Sequence, residues 1–235
     1  MLKLDLHTHT ADDPVDHIPH SSRELIDRAA ALGYDALAIT LHDRRLDPTP
    51  LIPYAAERGI VLIPGIERTI EGRHVLLVNF SRAAEDVNSF GDLARLKARE
   101  RGLVIAPHPF FPVGSCLGRV IDRYGCLFDA VERNAMFTRT IDFNVRAERW
   151  AAEHGRPMVG NGDVHRLYQL GTCYSLVDAP PEADAICDAI RNGRVLVKAE
   201  PLSMVRAIQT MADLTAAQLR PGARGGMLEP LSGRA

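Results

Sequence analysis

Short apolar runs and longer amphipathic stretches take turns along the chain. Leu2, Leu4 and Leu6 alternate with Lys3, Asp5 and His7, which predicts a buried strand. Ser21 or Ser22 then supplies an N-cap with Glu24 in the first turn, and the helix it opens runs to about Leu32 and stops at Gly33. Asp35–Thr40 and Ile60–Ile63 read as buried strands around a short helix over 50–58 that ends at Gly59. Further helices are predicted over 83–99, 119–124, 140–153 and 181–191, with strands over 103–106, 127–132, 157–160 and 195–199. This alternation is the signature of an α/β fold with a largely parallel sheet. One segment breaks it: Glu71-Gly72 lies between two extended runs and predicts a tight hairpin in which Thr69 faces His74 and Glu67 faces Leu76. Glu67 and His74 then become diagonal neighbours on one face, about 7 Å apart between α-carbons. The pattern assigns 1–205 to a barrel domain and 206–235 to a C-terminal helix and tail, whose last fifteen residues are expected to be mobile.

Composition narrows the class. With 235 residues, 46% of them hydrophobic, the chain can bury the core of a single α/β barrel. No run of about twenty apolar residues is present to cross a membrane, and Lys3, Asp5 and His7 interrupt what would be the apolar core of a signal peptide. A cytoplasmic protein is therefore expected, and Cys116, Cys126, Cys173 and Cys187, which show no CxxC spacing, read as buried reduced thiols. A formal charge of −2 argues against an extended nucleic-acid surface and leaves room for a small phosphorylated substrate held by metals. Oligomeric state has no signature.

Candidate chemistry sits where the strands end. His7 and His9 are two apart in an extended segment and point to the same side, and Asp5 shares that side, where it could hydrogen-bond a ligand histidine. His42, Glu67, His108 and then Asp163 with His165 follow later strands, His74 joins through the hairpin, and His17 through the loop after the first strand. In a barrel of parallel strands those ends share one face, and mixed imidazole and carboxylate donors suit a divalent metal. Each residue also has a bland reading. His17 and His20 could be solvent-exposed, His154 before Gly155 suits a helix C-terminus, Trp150 is a packing residue, and Glu132 is a surface carboxylate or a hydrogen-bond partner of a ligand histidine. Arg73 and Arg139 read as solvated charges, whereas Arg44, Arg45 and Arg166 follow candidate ligands closely enough to face an anionic substrate.

Taken in order, Asp5-Leu-His-Thr-His-Thr10, Ala38-Ile-Thr-Leu-His-Asp43, Pro64-Gly-Ile-Glu67, Ala106-Pro-His-Pro109 and Gly162-Asp-Val-His165 resemble the motifs of the PHP (polymerase and histidinol phosphatase) family over roughly residues 1 to 200. The resemblance implies a distorted (β/α)7 TIM-like barrel with a metal cluster, commonly trinuclear, at its C-terminal mouth. It implies one metal on His7, His9, Glu67 and Asp163, a second on Glu67, His74 and His108, and a third on His17, His42 and His165. The loop 11–20 departs from the family's Ser-Asp-Gly and offers Asp12, Asp13, Asp16 and His20 as rivals to His17. Leu41 stands where many members carry Asp, which removes a carboxylate that would support the third site.

The activity so implied is hydrolysis of a small phosphate ester, mono- or diester, by a metal-bridged hydroxide. Two or three zinc, manganese or iron ions would be the cofactors, Glu67 and Asp163 the catalytic carboxylates, and Arg44 and Arg166 the stabilisers of phosphoryl charge. Two rivals stand beside it. An amidohydrolase-like C–N hydrolase also uses HxH and Asp on a barrel, but often with a bridging lysine for which neither Lys97 nor Lys198 is placed. A non-catalytic metal-stabilised module is the other.

Overall fold

The computed structural model describes residues 1–219, so the expected mobile tail lies outside the described residues. Its strands are β1 (Leu2–Thr8), β2 (Ala36–Ile39), β3 (Val61–Ile70), β4 (Arg73–Val78), β5 (Leu103–Ala106), β6 (Ala130–Asn134), β7 (Met158–Asn161), β8 (Cys173–Val177) and β9 (Val195–Ala199). The helices are α1 (Ser22–Ala31), α2 (Ile52–Ala56), α3 (Phe90–Arg99), α4 (Val120–Tyr124), α5 (Asn144–Glu153), α6 (Ala183–Arg191) and α7 (Met204–Leu219). Ser21 caps α1 in a full capping box with Glu24.

The nine strands form one sheet in the order β7-β6-β5-β4-β3-β2-β1-β8-β9. β1, β2 and β3 run parallel, as do β5, β6 and β7, while β4 is antiparallel to both of its neighbours. The sheet curls until the chain after β7 meets the end of β1, where Thr8 bridges Val164, His9 N–H donates to Val164 O and Val164 N–H to His7 O. The result is a nearly closed TIM-like barrel in which the fourth strand is reversed, because a two-residue turn leaves no room for a crossover helix. Glu71 and Gly72 both adopt positive φ (49° and 77°), as a type I′ turn requires, and the register pairs Thr69 with His74 and Glu67 with Leu76 as expected.

Strand periodicity sorts the core into layers. In β2, Ala36 and Ala38 fill the barrel interior with Leu4, Leu6, Ile63, Leu76 and Ile105. Leu37 and Ile39 face outward onto Leu25, Ile26 and Ala29 of α1. Across the barrel, Leu77, Val104 and Val131 meet Phe90, Leu93 and Leu96 of α3 and Trp150 of α5. Ile186, Cys187, Ala189 and Ile190 of α6 join the interior cluster at the strand N-termini and plug the end opposite the candidate site. The large apolar side chains of the barrel interior are fully buried, a burial worth about 1.5–3 kcal/mol each.

Four expectations change. The helix over 83–99 is broken: a 3₁₀ turn occupies Arg82–Asp86, and Ser89 starts α3 with its own capping box to Asp92. β3 does not stop at Ile63 but continues through Glu67 to Ile70, since its hairpin partner extends the ladder. β8, unforeseen, pairs antiparallel with both β1 and β9. Of the four cysteines, none is in a disulfide, and Cys126 is exposed rather than buried. Among the described residues, no helix is long and apolar enough to cross a membrane.

Candidate metal centre

The first candidate pair is delivered by an irregularity in β1. Between Asp5 and Thr8 the strand carries one more residue than β2 opposite it, a bulge of the kind that re-aims side chains beside active sites. The backbone groups it frees are taken up by side chains: Asn161 Oδ1 accepts from Leu6 N–H (3.0 Å) and Asp5 Oδ1 from His7 N–H (3.0 Å). Asp5 Oδ2 accepts from Gly162 N–H at 2.9 Å, an approach a Cβ at 162 would block. Asp5 therefore ties together the two backbones that carry candidate ligands, and it bonds the His7 backbone where a bond to an imidazole ring is expected from its position. Burial pushes its carboxyl up to about 8.

His7 and His9 end β1 with ring centroids 5.2 Å apart, both fully buried. Glu67 projects from β3 between them and the rest: its Oε2 lies 3.2 Å from His7 Nε2, 3.4 Å from His9 Nε2 and 3.2 Å from His42 Nε2, and its Oε1 lies 2.7 Å from His74 Nδ1 and 3.2 Å from His108 Nε2. Asp163 closes the ring after β7, with Oδ1 at 3.3 Å from His7 Nε2 and 3.4 Å from His165 Nδ1. Eight of the nine expected ligands thus converge. His108 and Asp163 reach the cluster with left-handed backbones (φ 27° and 49°), strain of about 1–3 kcal/mol each that the surrounding fold offsets.

The deeper nitrogens face buried carboxylates. Glu132, fully buried, accepts from His7 Nδ1 (2.8 Å), from the amides of Asn134 and Asn161, and from His108 N–H. It is the hydrogen-bond partner and not a surface group. Asp13 Oδ2 sits 2.9 Å from both His9 Nδ1 and His42 Nδ1 and also accepts from His42 N–H. The carboxylate that Leu41 fails to supply therefore comes from the loop 11–20 instead, while Leu41 packs in the core. Burial alone would neutralise His7, but Asp163, Glu132 and Glu67 hold its pKa well above the usual imidazole value; His9 is raised likewise by Asp13, Asp163 and Glu67. Glu67 and Asp163, also opposed by burial, are kept well below the carboxylate range by the surrounding histidines.

His17 is the expected ligand that does not arrive. It is exposed, and its neighbour Asp16 turns inward to lie 3.1 Å from His165 Nε2. Arg44 is exposed and donates to Asp12 O at 3.5 Å, and Arg166 spends its guanidinium on the carbonyls of His165 and His17. Neither lines the cavity of about 250 Å³ that opens over the cluster. Arg45 lies half-buried with its backbone bonded to Glu85. Lys97 bonds Leu127 O and Asp129 far from the cluster, and Lys198 sits in β9, so no lysine stands at mid-barrel among the described residues. Two groups escaped the sequence pattern: Asn134, whose amide joins Glu132 to Asp163 Oδ2 (3.2 Å), and Cys116, 3.3 Å from His108 Nδ1.

These donors fit a divalent metal. Four overlapping triads have ligand atoms within 4.8 Å of one another: His7 with His9 and Glu67, His7 with His108 and Asp163, His42 with Glu67 and His74, and His9 with His42 and His165. His7 Nε2 and His9 Nε2 are buried without a hydrogen-bond partner, although carboxylate oxygens surround them. Buried polar atoms left in that state point to a missing partner. The last of these triads differs from the expected third site, with His9 in place of His17.

A family model described as PHP-associated matches residues 142–195, the stretch from α5 to β9 that carries Asp163 and His165. Solved structures share the fold. One is a two-domain protein containing a predicted PHP-like metal-dependent phosphoesterase from Bacteroides vulgatus (TM-score 0.65, 18% identity, covering 91% of this chain and 69% of that one). An amidohydrolase from Chromobacterium violaceum with bound sulfate and no metal superposes with TM-score 0.58 at 18% identity over 82% and 97% of the two chains. The lesion-specific endonuclease PfuEndoQ from Pyrococcus furiosus gives 0.55 at 15% identity over 89% and 66%. No curated protein matched the sequence. Over residues 142–195 the chain is thus similar to the PHP-associated family, and the solved structures share its barrel fold.

Proposed function

We propose that this protein is a metal-dependent hydrolase, and more narrowly a phosphoesterase acting on a small phosphate ester. The observation that carries the reading is the convergence on Glu67 of five imidazoles from four separate segments, with His7 and His9 each presenting an unpartnered Nε2. His7, His9, His42, Glu67, His74, His108, Asp163 and His165 would hold two or three zinc, manganese or iron ions, with Asp16 as a further donor in place of His17. Such ions, when bound, supply Lewis acidity and lower the pKa of water. Glu132 and Asp13 hold the imidazoles of His7, His9 and His42 in fixed orientation and tautomer. Asp163, a quarter exposed and kept ionised by the surrounding histidines, stands between the cluster and the cavity, where its carboxylate can accept a hydrogen bond from an attacking water and orient it. A reduced, cytoplasmic setting goes with the proposal, supported by the four free thiols.

The C–N hydrolase reading draws support from the amidohydrolase of like fold, and the missing mid-barrel lysine weighs against it. Elemental analysis of the purified protein, followed by a panel of phosphomonoesters, phosphodiesters and cyclic amides, tests the choice. Turnover of phosphate esters that falls with Asp163→Ala is expected. Turnover of amides alone would overturn the phosphoesterase reading, and a metal-loaded protein that turns over neither would leave a structural module.

A further inference from the structure

The cavity over the cluster has two unlike walls. One is the histidine and carboxylate surface already described. The other is mostly apolar: Phe111 and Val113 from the loop after β5, Met136 from the loop after β6, and Met211 and Leu214 from α7, with Ser115 and Thr215 beside them. Phe111 stands edge-on to His108 with ring centroids 6.3 Å apart and is backed by Phe143 at 5.3 Å, so this wall begins directly at the cluster. Among the described residues no lysine or arginine lines the cavity.

The helix that completes the wall is fixed in place at two points. Leu202 N–H donates to Phe137 O and bridges Thr138, which pins the chain just before α7 to the loop carrying Met136. Further along, Tyr168 Oη reaches Thr210 Oγ1 (3.3 Å) and Asp213 Oδ2 (2.8 Å), the residues immediately before Met211 and Leu214. Tyr168 itself lies in the segment directly after His165. A C-terminal helix held this way turns an open barrel mouth into a pocket of limited size.

On the reading of the site as a phosphoesterase, we infer that α7 with Phe111, Val113 and Met136 forms a leaving-group subsite for an uncharged, apolar or aromatic alcohol. The phosphoryl group would sit at the donor cluster and the alcohol against this wall. Such a wall rewards apolar area removed from water and offers a second phosphate or a carboxylate no cation to pair with, so bisphosphates, phosphorylated acids and polynucleotides should be poor substrates. About 250 Å³ of space accommodates a single ring beyond the phosphate.

The test compares benzyl phosphate, an aryl-bearing ester whose alcohol leaves much as an alkyl one does, with ethyl phosphate and 3-phosphoglycerate as substrates of the metal-loaded protein, and phenylphosphonate with methylphosphonate as ligands by calorimetry. The benzyl ester should be favoured over ethyl phosphate by at least about tenfold in kcat/KM, the scale on which a hydrophobic pocket discriminates. Leu214→Ala and Met211→Ala should reduce that ratio several-fold. Met211→Lys should raise turnover of 3-phosphoglycerate relative to the benzyl ester, a gain that misfolding cannot imitate. Equal use of benzyl and ethyl esters, or ratios unmoved by all three variants, would overturn the subsite. If no ester is hydrolysed, tighter binding of phenylphosphonate that weakens in Leu214→Ala would uphold the subsite while the phosphoesterase reading falls; no binding preference would sink both.

Discussion

The inner and outer halves of the site are built differently. His7, His9 and Glu67 come from strands or their ends, are at most 1% exposed, and are held from behind by the buried carboxylates of Glu132 and Asp13. Asp163, His108, His74 and the Asp16–His165 pair sit at the mouth and keep 7–24% of their side-chain surface open. The inner half gains its rigidity from the barrel ladder, which holding a metal requires, and the outer half opens onto the cavity. The same division separates pieces that any barrel of this kind requires from pieces that tune it.

The sharpest way to break this picture is at Glu67, where five imidazoles meet one carboxylate. Glu67→Gln keeps the shape but removes the charge that two opposing sets of histidines share, so bound metal should be lost together with activity, by about a thousandfold if the ions contribute several kcal/mol. Elemental analysis and turnover measured on one preparation check it; full metal content with normal turnover would show that the donor cluster is not the catalytic centre. One step back, Asp13→Asn leaves every donor in place but weakens the hold on His9 and His42 together. A loss of metal affinity of about 10- to 100-fold is expected, with the melting temperature of the metal-free protein little changed. If Glu132→Gln costs affinity and Asp13→Asn does not, the loop 11–20 belongs with the outer half instead.

The asymmetry between the halves also explains which parts are legible in the sequence. Strand-end ligands can be read because parity and the end of an apolar run fix where a side chain points, and the Glu71-Gly72 turn sets the register that joins Glu67 to His74. Glu132 and Asp163 follow from the same logic. The loop 11–20 cannot be resolved that way: five acidic or imidazole side chains lie within nine residues, and only tertiary packing decides that Asp13 and Asp16 turn inward while His17 turns out. β8 is hidden because Cys173–Val177 buries alternate residues against β1 and β9, a pattern weakened by Tyr174 and Ser175. The bulge in β1 leaves no local mark, since neither glycine nor proline is present there, and its freed backbone groups are satisfied by the side chains of Asp5 and Asn161.

His20 offers a gentler probe of how the loop 11–20 is fastened to the inner half. It is 3% exposed, its Nε2–H donates to His9 O at 2.9 Å, and burial pushes its pKa down to about 4. In the unfolded chain the ring takes a proton near its ordinary value of about 6.5. Its contribution is therefore complete above that pH and is lost as pH falls from about 6.5 to 4, where the unfolded state binds the proton and the folded state resists it. Denaturant titrations of the metal-free protein should show this as about 2 kcal/mol of pH-dependent stability, since each pH unit separating the folded and unfolded pKa is worth about 1.4 kcal/mol before solvent relaxation reduces it. His20→Gln keeps a donor for His9 O and should flatten that segment of the curve. An unchanged slope would place the pH sensitivity in other buried groups.

The smallest expected effect tests the boundary of the centre itself. His17 is exposed and its backbone carbonyl accepts from Arg166, whereas Asp16 beside it lies 3.1 Å from His165 Nε2. His17→Ala should leave metal content and turnover within about twofold of the parent, the range of an ordinary surface substitution. Asp16→Ala should cost about tenfold in affinity for the outermost ion, because it removes either a donor or the group that orients one. If the order is reversed, with His17→Ala the damaging change, the loop must turn over when metal binds, carrying His17 inward and Asp16 out. The division into a fixed inner half and an adaptable outer one would then extend to a loop whose two neighbouring side chains exchange places, and the hydrogen bonds from His42 to Asp13 and from His20 to His9 O would be the hinge that keeps the rest of the segment still.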